Sequence, residues 1–378
     1  MPLFLEIIFW SIIFIVIYTF FVYPIILYIL SKISNNYGFS GKENNSFNPE
    51  VALVISAYNE ENIIREKIIN SLNITYENLK IVIASDGSTD NTAKICNEFE
   101  EQISLYNYSV NEGKNATLNK VLNNIDSEIV VFSDANTFYK KDAIKKMVNN
   151  YQNKEVGCVI GQLKLTQTNS TNTSKGEGLY WKYEHFLKKL ESKIGEVLVG
   201  NGGIFSARRK LLQNLIDDIP NDFQIPMDIG YQGYKIIYEP KAIGLEKTSA
   251  HYLEEMKRKI RIVNRNFNGF VKYFKKIRGI RIFEMISHKV IRWFIGFLAI
   301  LIFILNIFLI QQPIYLTIFL VQIIFYGLAI LAFVLPKKYK IFYIPYYITL
   351  IFVSSSIGIL EFALGKNYSK WTPPETSR

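Results

Sequence analysis

An α/β fold, with a mainly parallel sheet covered by helices on both faces and joined to transmembrane helices, is what this sequence predicts, and three observations carry that expectation. From Val51 to Asp134, short runs rich in Val, Ile and Leu alternate with stretches whose apolar residues recur at helical spacing. The runs end in polar turns: Ala57-Tyr58-Asn59-Glu60, Asp86-Gly87-Ser88-Thr89-Asp90 and Asp134-Ala135-Asn136. Outside this region lie long apolar stretches, Leu3 to Leu30 before it and Val290 to Ile310, Ile314 to Leu335 and Ile341 to Leu364 after it. Each is long enough to cross the hydrocarbon core of a bilayer. With 378 residues, 49% hydrophobic, and a formal net charge of +10, the chain is neither disordered nor a plain soluble enzyme.

In chain order, the first apolar stretch carries Glu6 as its one charge and lacks a small-residue cleavage site, so it reads as a retained anchor, residues 1–31. Lys32 and Lys42 follow in a polar linker, residues 32–48, and this positive charge puts the next domain in the cytoplasm. Val51–Ser56 reads as a strand and Glu60–Leu72 as its helix, with apolar Ile63, Ile64, Ile68, Ile69 and Leu72. Leu79–Ser85 is a second strand followed by a helix over Thr89–Phe99. Ile103–Val110 and Lys114–Leu122 form the next such pair, and Ile129–Phe132 is the strand that leads to Asp134. Gln162–Thr173 is polar and strand-like, and Gly176–Leu190 reads as an aromatic-rich helix. Cys96 and Cys158 fall in a helix and a strand, which argues against a disulfide framework.

Ligands of parallel sheets gather at the carboxyl ends of the strands, where all three polar turns lie. Asp134 at such an edge, with an amide oxygen two residues on at Asn136, suits a hard divalent cation shared with substrate phosphates. Asp86 after the second strand can accept from the N–H of a nucleotide base. Asp-Gly and Ser-Thr are also ordinary turn and cap chemistry, so each motif alone is a weak signal. His185, His251 and His288 are too scattered to form a metal site and read as structural.

The ordered set Ala-Tyr-Asn-Glu, Asp-Gly-Ser-Thr-Asp, Gly113-Lys114-Asn115-Ala116-Thr117-Leu118-Asn119 and Ser133-Asp134-Ala135-Asn136 resembles the family 2 inverting glycosyltransferases, enzymes of the GT-A fold that use nucleotide-diphosphate sugars. The resemblance continues through Gly200-Asn201-Gly202-Gly203, Asn221-Asp222-Phe223-Gln224-Ile225-Pro226 and Glu255-Met256-Lys257-Arg258-Lys259. It implies a catalytic domain over residues 49–252, with Tyr58, Glu60, Asp86 and Lys114 around the nucleoside. Asp134 would bind Mg2+ or Mn2+ on the diphosphate, with Asn136 where many relatives carry a second Asp. Asp222 would be the catalytic base, with Asp217, Asp218 and Asp228 as nearby competitors. In the aromatic-rich helix, Trp181 offers a face for a sugar ring, with simple packing the equal alternative, and Asn201 in the Gly-Asn-Gly-Gly loop would let the backbone approach the acceptor or donor sugar. Arg258 would bind the donor diphosphate. Lys259 stands where processive members carry a channel Trp, which weighs against processive synthesis. Uridine is the base that the resemblance favours, with GDP and dTDP donors left open.

Residues 253–289 interleave Lys257, Arg258, Arg261, Arg265 and Lys272 with Phe267, Phe270, Tyr273 and Phe274. Because membrane spans follow directly, this pattern reads as an amphipathic segment on anionic membrane lipids and not as a nucleic-acid surface. Residues 290–365 then form three transmembrane helices, and 366–378 a short tail. The uncharged loop Gln311-Gln312-Pro313 and the basic loop Pro336–Lys340 alternate as the positive-inside rule asks. The expected whole is a multi-pass inner-membrane enzyme that transfers a sugar to a lipid-linked or polysaccharide acceptor. The alternatives are a processive synthase, an inactive scaffold and a transporter subunit.

Overall fold

The structure is a computed structural model and describes residues 2–34, 46–166, 172–247, 252–334 and 340–368. Most of the expected linker, the bulk of the basic loop before Lys340, His251 and nearly all of the C-terminal tail lie outside the described residues.

The strands are β1 (Val51–Ala57), β2 (Leu79–Asp86), β3 (Ser104–Tyr108), β4 (Ile129–Asp134), β5 (Phe138–Tyr139), β6 (Val156–Thr166), β7 (Phe205–Arg208) and β8 (Lys235–Lys247). They form one sheet in the order β3-β2-β1-β4-β7-β6-β8-β5. β1 pairs in parallel with β2 and β4, β2 with β3, and β6 with β8. β7 runs antiparallel to both β4 and β6, and β5 antiparallel to β8, so the sheet is mainly and not wholly parallel.

The helices are α1 (Pro2–Ile17), α2 (Tyr23–Ile33), α3 (Ile64–Leu72), α4 (Thr92–Asn97), α5 (Lys114–Leu122), α6 (Ala143–Asn149), α7 (Asn172–Ile194), α8 (Asn221–Tyr231), α9 (Tyr252–Tyr273), α10 (Ile280–Glu284), α11 (Ile291–Trp293), α12 (Ile295–Leu309), α13 (Pro313–Val334) and α14 (Lys340–Ala363).

Strand β1 shows why the sheet is covered on both faces. Its alternate residues Val51, Leu53 and Ile55 join Ile64 and Ile68 of α3 and Ile144, Met147 and Val148 of α6 in one core. Ala52 and Val54 join Leu118, Val121 and Leu122 of α5 and Ile225 and Ile229 of α8 in a second. A period of two with both phases apolar is the mark of a strand buried on both sides. The register sets Ser56 opposite both Ala84 and Asp134, which brings the carboxyl ends of β1, β2 and β4 to one edge.

Among the described residues, three helical stretches are long and apolar enough to cross a membrane: Leu3–Ile33, Pro313–Ala332 and Ile341–Ala363. The first runs from α1 into α2 through a π-helical turn at Tyr18–Val22. The span expected over Val290–Ile310 is broken: the helices on either side of Phe294 meet at 62°, and α12 by itself has 15 residues. Aromatic packing ties the soluble part to these helices. The Phe267 ring of α9 lies 5.0 Å from Phe362 of α14, 5.9 Å from Trp293 and 5.6 Å from Phe294, each edge to face.

Candidate active site

The turns after β1 and β2 are zipped to each other. Asn59 has a φ of 51°, the one positive value outside glycine among the described residues. In that conformation its Oδ1 accepts from the Thr89 N–H at 2.8 Å and its own N–H donates to Ser88 Oγ at 3.2 Å. The Glu60 N–H donates to Thr92 Oγ1 at 2.8 Å, and the Glu61 N–H to Asp90 Oδ2 at 3.1 Å. The buried Glu60 supplies the carbonyl that starts the turn into α3, while Tyr58 stands half-buried beside it.

Asp86 is buried at the end of β2, where it builds the next part of the site. Its Oδ1 accepts from the Glu112 N–H at 2.9 Å and the Thr117 hydroxyl at 2.7 Å, and its Oδ2 from the Gly113 N–H at 3.0 Å. A carboxylate has about four acceptor positions, so Oδ2 keeps capacity for a base N–H. Gly113, at a φ of 104°, then turns the chain into α5 and sets Lys114 in its first turn. Lys114 Nζ reaches Asp134 Oδ1 at 2.5 Å, with both side chains partly open to solvent.

Asp222 enters from the other side, in the first turn of α8 after the Pro220 cap, where a helix N-terminus favours negative charge. It meets Asp134 across Gly202. A Cβ on Gly202 would lie 3.5 Å from Asp222 Oδ2 and 3.7 Å from Asp134 Oδ2, so the missing side chain leaves the gap between the two carboxylates clear. Burial raises the carboxyl of Asp222 above the usual range, an effect opposed by Lys114 and Lys188 and reinforced by Asp134. Asp222 is in addition fixed through its backbone, because the Gly200 N–H donates to its carbonyl at 2.7 Å.

Two of the three competing carboxylates are engaged elsewhere. Asp218 pairs with Lys272 at 2.6 Å, and Asp228 accepts from Tyr273 at 2.8 Å and Gln224 at 3.1 Å. The carbonyls of Asp217 and Ile219 receive the Arg265 guanidinium at 3.1 and 3.2 Å. Asn201 is buried, with Nδ2 on the Gly161 carbonyl at 2.7 Å and Oδ1 on Lys188 at 2.6 Å. Trp181 packs against the core with its ring 5.5 Å from His185, which bonds Tyr238 at 2.9 Å. His288 is buried between Glu184 and Glu191.

Arg258 is folded back on Glu255, with Nε at 2.9 Å, and Lys259 pairs with the same buried carboxylate while covering the Tyr347 ring at 5.3 Å. Sequence reasoning did not single out Lys67 or Lys188, nor did it assign Arg261 or Arg265 to the site. Arg261 feels the charges of Asp134 and Asp222, and Arg265 that of Asp222, so this face of α9 looks toward these two carboxylates. The spacing 258, 261, 265 already placed the three arginines on one helical stripe, but not which side of the helix the site would occupy.

As for a cation, Asp134 offers one partly open carboxylate, and the Asn136 amide reaches toward Glu246 at 3.5 Å. Among the described residues no three His, Cys, Asp or Glu side chains gather into a metal cluster. Such a donor set fits a hard cation that arrives with oxygen ligands of its own from a diphosphate.

Comparison with known proteins agrees with this geometry. Residues 52–216 match the family model described as "Glycosyl transferase family 2". Over 200 residues the chain is 26% identical to a poly-beta-1,6-N-acetyl-D-glucosamine synthase of Staphylococcus epidermidis, covering 51% of this chain and 48% of that protein. The synthase of the same name from Staphylococcus aureus is 25% identical over the same shares. The chain thus spans about half the length of the curated relatives it matches. Among solved structures, a mannosyltransferase from Pyrobaculum calidifontis in complex with GDP-Man and Mn2+ superposes with a TM-score of 0.74 at 19% identity, over 96% of this chain and 99% of that one. Residues 52–216 therefore match glycosyl transferase family 2, in a chain with a GT-A-like fold joined to helices long and apolar enough to cross a membrane.

Proposed function

We propose that this protein transfers a sugar from a nucleotide-diphosphate donor to a lipid-linked or glycan acceptor at a membrane surface, with inversion at the anomeric carbon. The observation that supports it best is the pair Asp134 and Asp222, which face each other across the side-chain-free Gly202 at the carboxyl edge of the sheet. In this reading the zipped loops of Tyr58, Glu60 and Asp86 hold the nucleoside. Lys114 and Arg258 balance the diphosphate. Asp134, with Asn136 beside it, would hold Mg2+ or Mn2+, which supplies charge neutralisation at the leaving diphosphate. Asp222 takes the proton of the acceptor hydroxyl as that oxygen attacks the anomeric carbon, and the bond to the diphosphate breaks on the opposite face. The carboxyl of Asp222, raised by burial, is more basic than an ordinary one and better matched to this proton.

Membrane attachment supports the acceptor class, since a polar donor comes from the cytosol while the acceptor is presented by the bilayer. We infer a multi-pass inner-membrane protein with its catalytic domain cytoplasmic, following the charge of the loops. The relatives named as polysaccharide synthases favour a second reading, in which the product is a polymer. Lys259 in place of a channel Trp favours single or short transfers. Product length separates the two.

The test is nucleotide release from UDP, GDP and dTDP sugars by the purified protein in nanodiscs, with membrane extract as acceptor, with and without Mn2+. Metal-dependent release from one donor is expected, lowered by about a hundredfold or more in Asp222→Asn. Silence across the panel would instead support an inactive scaffold.

A further inference from the structure

We propose that Lys188 is a positioning residue for the reaction: its ammonium holds the Gly200-Asn201 loop against Asp222 and adds positive charge near that carboxylate. The proposal rests on the reading of Asp222 as the base.

Lys188 sits on α7 and is 4% exposed. Its Nζ donates to the Gly200 carbonyl at 3.2 Å and to Asn201 Oδ1 at 2.6 Å. Gly200 in turn donates its N–H to the Asp222 carbonyl at 2.7 Å, and Asn201 anchors to the Gly161 carbonyl of β6 at 2.7 Å. One ammonium therefore links α7, β6 and the first turn of α8 through a loop of small residues. Its hydrogen-bond acceptors are neutral, and no carboxylate of the described residues lies within ion-pair distance of it.

A buried charge in neutral company is costly, and an apolar side chain would fill the same space with less penalty. The groups that face it say what the charge is for. Glu184 and Glu191 lie on its own helix, Lys289 comes from the segment after α10, and Asp222 from α8. Glu184 is already paired with Lys289 at 3.0 Å and Arg292 at 2.6 Å, and Glu191 lies in hydrogen-bond contact with His288 at 2.5 Å. Asp222 is the anion that acts on it from α8. It is faced in turn by Lys114 from α5, Asp134 from β4 and Arg265 from α9. Burial pulls Lys188 down to about 8 and pushes Asp222 up, so each ion eases the desolvation of the other. The cation thus opposes the upward shift that burial imposes on Asp222, and the loop holds the backbone of α8 in register with Gly202.

The experiment compares Lys188→Met, Lys188→Arg and Asp222→Asn in the full-length protein in nanodiscs. Donor affinity, thermal unfolding and the pH profile of turnover are measured for each. Lys188→Met should bind donor within about twofold of the parent, lose about 10- to 100-fold in turnover, and move the acid limb of its profile upward by about one pH unit. Lys188→Arg should leave the acid limb in place. Should Lys188→Met fail to fold, Lys188→Gln, which keeps a donor and no charge, carries the same comparison. A folded neutral variant with an unmoved acid limb would overturn the proposal and leave Lys188 a structural residue. Parent-like turnover in Asp222→Asn would overturn the base assignment instead, so the two failures are told apart.

Discussion

Lys67 lies beneath the Asp134 turn with no solvent contact, its ammonium shared among Ser133 Oγ at 2.8 Å, the Thr137 carbonyl and the Tyr139 ring face at 4.5 Å. Burial pulls its pKa from 10.5 down to about 7, while the charge of Asp134 opposes the shift. Below about pH 7 folded and unfolded chains both carry this proton and the cost of burial is felt in full. Between about 7 and 10.5 the unfolded chain keeps a proton that the folded one has lost, so this group makes stability rise with pH across that window. Lys67→Met should flatten the rise, which denaturation midpoints at about pH 7 and about pH 9 will measure. Gly202 makes a second test at the same scale. Gly202→Val should leave the fold intact and lower turnover by about tenfold or more, because its branches fill the gap between Asp134 and Asp222 that a reacting group must enter. Gly202 belongs to a motif legible in the sequence, whereas Lys67 hides there: it occupies an apolar-face position between Ile64 and Ile68, yet as a letter it reads as surface.

The loops and helix that hold these residues differ in how much of them could be read in advance. The strand that ends at Asp134, the helix Lys114–Leu122 and the turns after β1 and β2 follow from periodicity, because each is long or is bounded by turn chemistry. Strand β7, the four residues Phe205–Arg208, was missed: it is too short to show a period, and its antiparallel place between β4 and β6 is decided by distant partners. The basic segment was read as a membrane-surface helix. The structure gives α9 two jobs, since Phe267 packs on the membrane-side helices while Arg261 and Arg265 face the site. Composition alone cannot separate these faces. The zipped loops yield their own prediction. Asn59→Ala loses both the side-chain clamp to the Thr89 N–H and the tolerance for a φ of 51°, and should destabilise the domain by about 1–3 kcal/mol, read as a lower unfolding temperature and a raised KM for donor.

Across the whole molecule, the two halves are joined by buried ions as well as by rings. Glu184 of α7 receives Lys289 and Arg292 from the stretch around α11, Glu191 receives the Tyr23 hydroxyl of α2, and the His288 ring lies between the two carboxylates. Removing one member of such a network strands the others, so Glu184→Gln should cost about 3 kcal/mol in unfolding measured in nanodiscs while membrane insertion is unchanged. Loss of insertion would show that the network guides assembly instead. The helix that carries this clasp also carries Lys188, and α9 touches α14 on one side and faces Asp222 from the other. In the proposed bilayer setting, this packing would make the protein a depth gauge. Asp222 would ride at one altitude over the lipid, neither stooping to a shorter headgroup nor rising for a longer one. Acceptors would be sorted by how far their hydroxyl stands above the membrane before any recognition of which sugar bears it.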